Sequence, residues 1–184
     1  MAAPEPSASE RYLHEDALVI RRRTGGRWLW LGAAIVLVVV LVWWLTHPGG
    51  FAGRGQVDAE TPRGQSAFFG ILGPSSDSGR TLRINHASAR VVHAPDDTET
   101  EVLICRGGGI AVSADAHAFC NELVPAKGET LHYGNAQMEQ LILRVTSQNP
   151  GTVDIDGVDL NFRDGLQFGS VVVGPHITLT VRGR

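Results

Sequence analysis

Lysine is almost missing from this 184-residue chain. Of sixteen Lys and Arg residues only Lys127 is a lysine, and nineteen Asp and Glu leave a formal net charge of −3. That balance gives no electrostatic case for a nucleic-acid partner. Reactive signatures are missing too. No GxSxG, SxxK or HExxH occurs, so no nucleophile elbow, SxxK serine site or zincin helix is written locally. No CxxC is present, which removes the usual zinc and redox spacings, and no GxxxxGK[ST] phosphate loop follows a strand. No cofactor is expected. Tryptophan is confined to one stretch: all four residues, Trp28, Trp30, Trp43 and Trp44, lie within seventeen positions of one another.

That stretch holds the strongest positive signal. The eighteen residues Trp28 to Leu45 carry no charge, and eleven of them are Leu, Ile or Val. As a helix they would run about 27 Å, close to the thickness of a hydrocarbon core. A buried core helix of this length would show a polar stripe, and none exists. A cleaved signal peptide would have a shorter apolar run and a small-x-small site. The best such site here, Gly50-Phe51-Ala52, is poor, and twenty-seven residues precede the run. The sequence therefore predicts one transmembrane helix, residues 28–45, with the four tryptophans as interfacial anchors against the lipid bilayer. Arg21, Arg22, Arg23 and Arg27 crowd its N-terminal side, and only Arg54 and Arg63 fall in the twenty residues beyond it. The positive-inside bias then puts the N-terminus in the cytoplasm and the C-terminal portion outside the plasma membrane.

Around that helix the chain divides into a cytoplasmic tail (1–27), largely disordered by composition, a Gly/Pro-rich flexible linker (46–65) and a domain (66–184). From Ser66 onward, short β-branched runs are separated by Gly, Asp, Pro and Asn. Candidate strands are 67–72, 81–85, 89–93, 101–105, 110–113, 130–133, 140–146, 152–156, 158–162, 170–173 and 177–182, with a helical turn only at 115–122. Leu141, Leu143 and Val145 share one face, as do Ile177, Leu179 and Val181, and Val102 to Cys105 is apolar on both faces. The expected fold is all-β, an antiparallel β-sandwich of Ig-like or related type. Asp156-Gly157 predicts a two-residue hairpin pairing Ile155 with Val158 and Val153 with Leu160, and Asp164-Gly165 a second turn.

Cys105 and Cys120, on the outer side, are expected to form a disulfide. The predicted hairpin would set Asp154 opposite Asp159 with Asp156 in the turn. This makes a weak calcium candidate, although the ligand spacing of the helical calcium loop does not fit. His86, His93, His117, His132 and His176 show no zinc spacing, and no metal is expected. Arg106-Gly107-Gly108-Gly109 reads as a loop or wide turn rather than an anion nest.

High arginine with little lysine points to a GC-rich bacterial genome. The features together predict a non-enzymatic single-pass protein of a bacterial cell envelope. Its outer domain would bind a protein or envelope polymer, or serve as a subunit of a membrane complex. One alternative is a tethered enzyme of hydrolase type acting on an envelope substrate. Another is a sensor relaying outer binding to a cytoplasmic partner.

Overall fold

The computed structural model describes residues 25–47, 49–51, 55–73, 79–134 and 138–183. The chain divides into two compact units, Met1–Val39 and Val40–Arg184, so the last turns of the helix belong with the β domain. Residues 1–24 of the expected tail, including Arg21, Arg22 and Arg23, lie outside the described residues, as do Pro48 and Ala52–Arg54 of the expected linker; the tail's last three residues, Gly25–Arg27, are the start of the helix.

The helix α1 runs Gly25–Thr46, and its apolar stretch Trp28–Thr46 is long enough to cross a membrane, with none of it buried by protein. Its end is capped by its own residues. Thr46 Oγ1 donates to the Val42 carbonyl at 2.9 Å, and His47 stacks on Trp43 with its Nδ1 2.9 Å from the Trp43 carbonyl. These contacts occupy carbonyls that a helix C-terminus otherwise leaves without partners.

The β domain is two five-stranded sheets. The strands are β1 (Gln56–Pro62), β2 (Ala67–Leu72), β3 (Arg80–His93), β4 (Thr98–Arg106), β5 (Val112–Ser113), β6 (Glu122–Pro125), β7 (Thr130–Tyr133), β8 (Gln140–Ser147), β9 (Gly151–Asp164) and β10 (Gln167–Arg182). The first sheet has the order β1-β10-β9-β3-β7, the second β5-β2-β8-β4-β6. Every ladder is antiparallel except β1 with β10, which runs parallel over seven residue pairs. The sandwich core forms as the alternation predicts. Leu141, Leu143 and Val145 of β8 and Ile104 of β4 meet Val153, Ile155, Leu160, Ile177 and Leu179 of the facing sheet.

Several expectations change. Candidates 81–85 and 89–93 are one strand, β3, as 170–173 and 177–182 are one strand, β10, and Glu122–Pro125, outside the candidates, is β6. Gln56–Pro62, assigned to the flexible linker, is strand β1; Val57, Ala59 and Thr61 face inward, too weakly apolar to signal a strand beside Gln56, Asp58 and Glu60. The Asp156-Gly157 hairpin does not form. β9 passes straight through, and Ile155 pairs with Ile177 while Val158 pairs with Val173. The inward residues are Val153 and Ile155, then Val158, Leu160 and Phe162, a one-residue slip in phase. A slip of that kind is satisfied equally by a reversal or by a bulge. Here the strand is irregular: Gly157 has φ 79°, and a Cβ on it would lie 2.7 Å from the Val173 carbonyl oxygen. The real reversal is at Asp164-Gly165. Asp164 pairs with Gln167 across a two-residue loop whose first position, Gly165, has φ 58°, the position where a II′ turn needs glycine.

The segment between β4 and β6 lies over the outer face of the second sheet. Ile110, Ala116 and Cys120 pack there on Phe68, Leu103, Cys105 and Ile142, forming a second, smaller core. This explains why β4 is apolar on both faces. The Cys105–Cys120 disulfide pins the segment, and Gln140 clamps it: Ile110 N donates to Gln140 Oε1 at 2.6 Å and Gln140 Nε2 to the Ile110 carbonyl at 2.9 Å. Immunoglobulin domains of antibodies instead place a disulfide between their sheets beside a tryptophan; this domain has no tryptophan.

Closing a loop with a sequence separation of 15 contributes about 3 kcal/mol on the chain-entropy model. Reduction of the detergent-solubilised chain is therefore expected to lower its thermal midpoint by roughly 10 °C in a melt followed by circular dichroism. An unchanged midpoint would show that the outer layer holds without the bond.

Candidate functional site

Three places on the β domain gather chemistry. The first is centred on Arg106, the last residue of β4. Its Nη1 donates to Glu122 at 3.3 Å and its Nη2 to Glu129 at 3.0 Å, while Nε lies 3.5 Å from Glu139, an ion contact rather than a hydrogen bond. Glu139 is buried and also accepts from the His132 backbone N at 2.6 Å, with the His132 ring Nδ1 3.1 Å away. Burial works to lower the Arg106 pKa, but the hydrogen bonds to Glu122 and Glu129 and the charges of Glu122 and Glu139 outweigh it and hold the guanidinium above its ordinary range. A group so held is a permanent cation that ties β4 and β6 to the turns before β7 and β8. The glycines that follow let the chain pass tightly: a Cβ on Gly108 would fall 1.7 Å from the Phe119 carbonyl oxygen. The glycine run is thus a crossing point for backbone.

The second is the end of the sandwich that receives Gly49–Phe51. Phe51 packs edge-on against Tyr133 and Phe162, with centroids 5.6 and 5.2 Å away, and the Arg80 guanidinium lies 4.9 Å over its ring. Arg80 Nε donates to Asp164 at 2.7 Å and Nη1 to the Gly49 carbonyl at 3.1 Å. The segment after the helix is therefore docked on the domain at Gly49–Phe51. A recess of about 220 Å³ opens there, lined by Thr46, His47, Phe51, Phe162 and Val171 among others.

The third is an open strand edge. β7 pairs with β3 only over Arg80–Arg83, and Ile84 bonds to the loop at Gly128 and Glu129. From Asn85 to His93, no strand flanks that side of β3 among the described residues. Val91 and Val92, 44% and 67% exposed, lie on this stretch, as do His86 and His93.

The predicted site residues fall as follows. Cys105 and Cys120 are joined. Trp28, Trp30, Trp43 and Trp44 are exposed on α1; Arg27 lies in the helix. Asp154, Asp156 and Asp159 do not converge, because the hairpin that would bring them together is absent. They are strung along β9, opposite Thr178, His176 and Val172. Among the described residues no three His, Cys, Asp or Glu side chains group as a metal site. The sequence reading missed the Arg106 cluster and the Phe51–Arg80 contact. Their partners are 16 to 84 residues apart in sequence, and no local pattern joins them.

No family model and no curated protein matches the chain. A solved structure of the N-terminal domain of PorA is similar at 13% identity, covering 74% of this chain and 94% of that one, with a TM-score of 0.28. A likeness that low says nothing of this chain's role.

Arg106→Met would leave Glu139 buried beside no cation and is expected to destabilise the domain by about 3 kcal/mol. Glu122→Gln, at a side chain 58% exposed, should change stability by less than about 1 kcal/mol. Urea unfolding of the two variants checks the contrast, and equal losses would contradict the assignment of Glu139 as the buried partner.

Proposed function

We propose that the chain is a single-pass protein of a bacterial plasma membrane, with its N-terminus in the cytoplasm and its β-sandwich outside, and that the outer domain acts by binding rather than by catalysis. The partner is a protein or an envelope polymer, met by the domain alone or as a subunit of a membrane complex. The arginine cluster before the helix supports the orientation. The disulfide fits an oxidising compartment.

The observation that carries the binding reading is the open edge of β3. A row of unpaired backbone N–H and C=O groups invites an added strand, and proteins that do not use such an edge cover it or charge it. Here it carries Val91 and Val92 beside a single charge, Arg90, on a stretch whose register with β9 shifts between Ala89 and His93, and the outer edge strand of the same sheet, β1, carries Asp58 and Glu60. An extended peptide laid beside Ala87–Val92 would gain ladder hydrogen bonds, with the valines giving side-chain selectivity.

A photo-crosslinking residue at Val92 of the full membrane-embedded chain is expected to give a discrete adduct in cells, and one at Asp58 is not. Arg90→Pro should abolish that adduct, because proline removes an N–H and stiffens the edge. Equal labelling at the two positions would overturn the reading.

A further inference from the structure

The hairpin joining β9 to β10 presents apolar side chains to solvent where a soluble domain would place polar ones. Leu166 is 65% exposed and Phe168 58%. Arg163, on the facing strand, holds its guanidinium 5.4 Å over the Phe168 ring, and its Nε donates to the Gly165 carbonyl at 2.6 Å. Phe168 is the register partner of Arg163 on one side, and Arg83 is its partner on the other. Two arginines directly opposed on neighbouring strands repel. Among the described residues neither forms an ion pair, although Arg80, Arg106, Arg144 and Arg182 all do. The hairpin also has a fixed neighbour, because Gln167 Nε2 donates to the Trp44 carbonyl at 2.9 Å. The tip is therefore held level with the tryptophans that close the apolar helix.

We infer that this hairpin tip is a second membrane contact, in which Leu166 and Phe168 enter the interfacial layer and Arg83 and Arg163 bind anionic phospholipid headgroups. The inference rests on the reading of α1 as a membrane span. An aromatic ring and a leucine beside arginines suit a boundary that is apolar below and anionic above. Headgroup phosphates lying between the two guanidiniums turn their repulsion into attraction. A single helix alone leaves the tilt of a domain against the bilayer unset. A second contact on the same leaflet fixes which face of the first sheet lies on the membrane and leaves the Asn85–His93 edge of β3 turned away from it, since β3 runs from Arg80 at the tip end to His93 at the other.

The test uses the full chain in vesicles of phosphatidylcholine with or without phosphatidylglycerol. Both native cysteines are bonded, so Leu166→Cys and, at the far end, Asp96→Cys can each carry one nitrobenzoxadiazole label. With headgroup spin-labelled lipid present, the label at 166 is expected to shift to the blue and lose most of its emission, more so with phosphatidylglycerol. The label at 96 should keep its emission. The double variant Arg83→Gln, Arg163→Gln should make quenching at 166 independent of phosphatidylglycerol. If the protein floats with the vesicles but the label at 166 behaves like that at 96, the tip contact is wrong and the span stands. If the double variant keeps its phosphatidylglycerol dependence, the arginines have no part in it. If the protein does not float at all, the span reading falls and the tip contact falls with it.

Discussion

Every residue from Trp28 to Trp44 is exposed on a helix that carries no polar stripe, and that imbalance governs the rest of the molecule. In water such a surface would drive the helix onto any apolar partner it met. The inward faces of the β domain are spent on each other across the two sheets. In the proposed placement a bilayer would resolve the imbalance, and it would also make helix the only backbone state open to the Val38-Val39-Val40 run, because hydrocarbon offers no other partner for its amides. The end of the helix closes its own carbonyls with Thr46 and His47, groups that a helix C-terminus otherwise leaves without partners.

The domain beyond it is organised around continuity of long strands. β9 and β10, fourteen and sixteen residues, form the middle of the first sheet and bend at irregularities instead of reversing. The second sheet is apolar on both faces because the Cys105–Cys120 loop covers its outside. Gln140 makes that cover possible: its amide acts as a one-residue strand toward Ile110, leaving no backbone group of that residue unpaired. Arg106 then draws β6, the turn before β7 and Glu139 together at the end of β4. Both proposals fall where the domain exposes apolar side chains, along the Asn85–His93 stretch of β3 and at the β9–β10 tip.

Much of this could be read from residues alone, and the failures have a common cause. β2 was legible to the residue because Ser66 and Gly73 punctuate an almost wholly apolar run, and β7 because Leu131 and Tyr133 alternate with Thr130 and His132. The face shared by Ile177, Leu179 and Val181 was legible because alternation needs no partner to be visible. Asp156-Gly157 misled because local chemistry permits a turn there, and only the Val173 strand beyond it, sixteen residues on, decides for a bulge. β1 was illegible for the same reason: Gln56–Pro62 is strand only because β10 supplies its ladder, a pairing about 120 residues away. The Arg106 and Phe51–Arg80 contacts are likewise made by the fold after it has formed.

The placement of the helix is the claim on which the others lean, and protease access to the two ends of the chain in intact cells tests it most directly. With a tag at each terminus, the account predicts that the protein stays in the membrane pellet through alkaline carbonate. External protease, once past the outer layers of the envelope, should then remove the C-terminal tag and spare the N-terminal one. Release by carbonate, or digestion of the N-terminal tag with the C-terminal one spared, would contradict it.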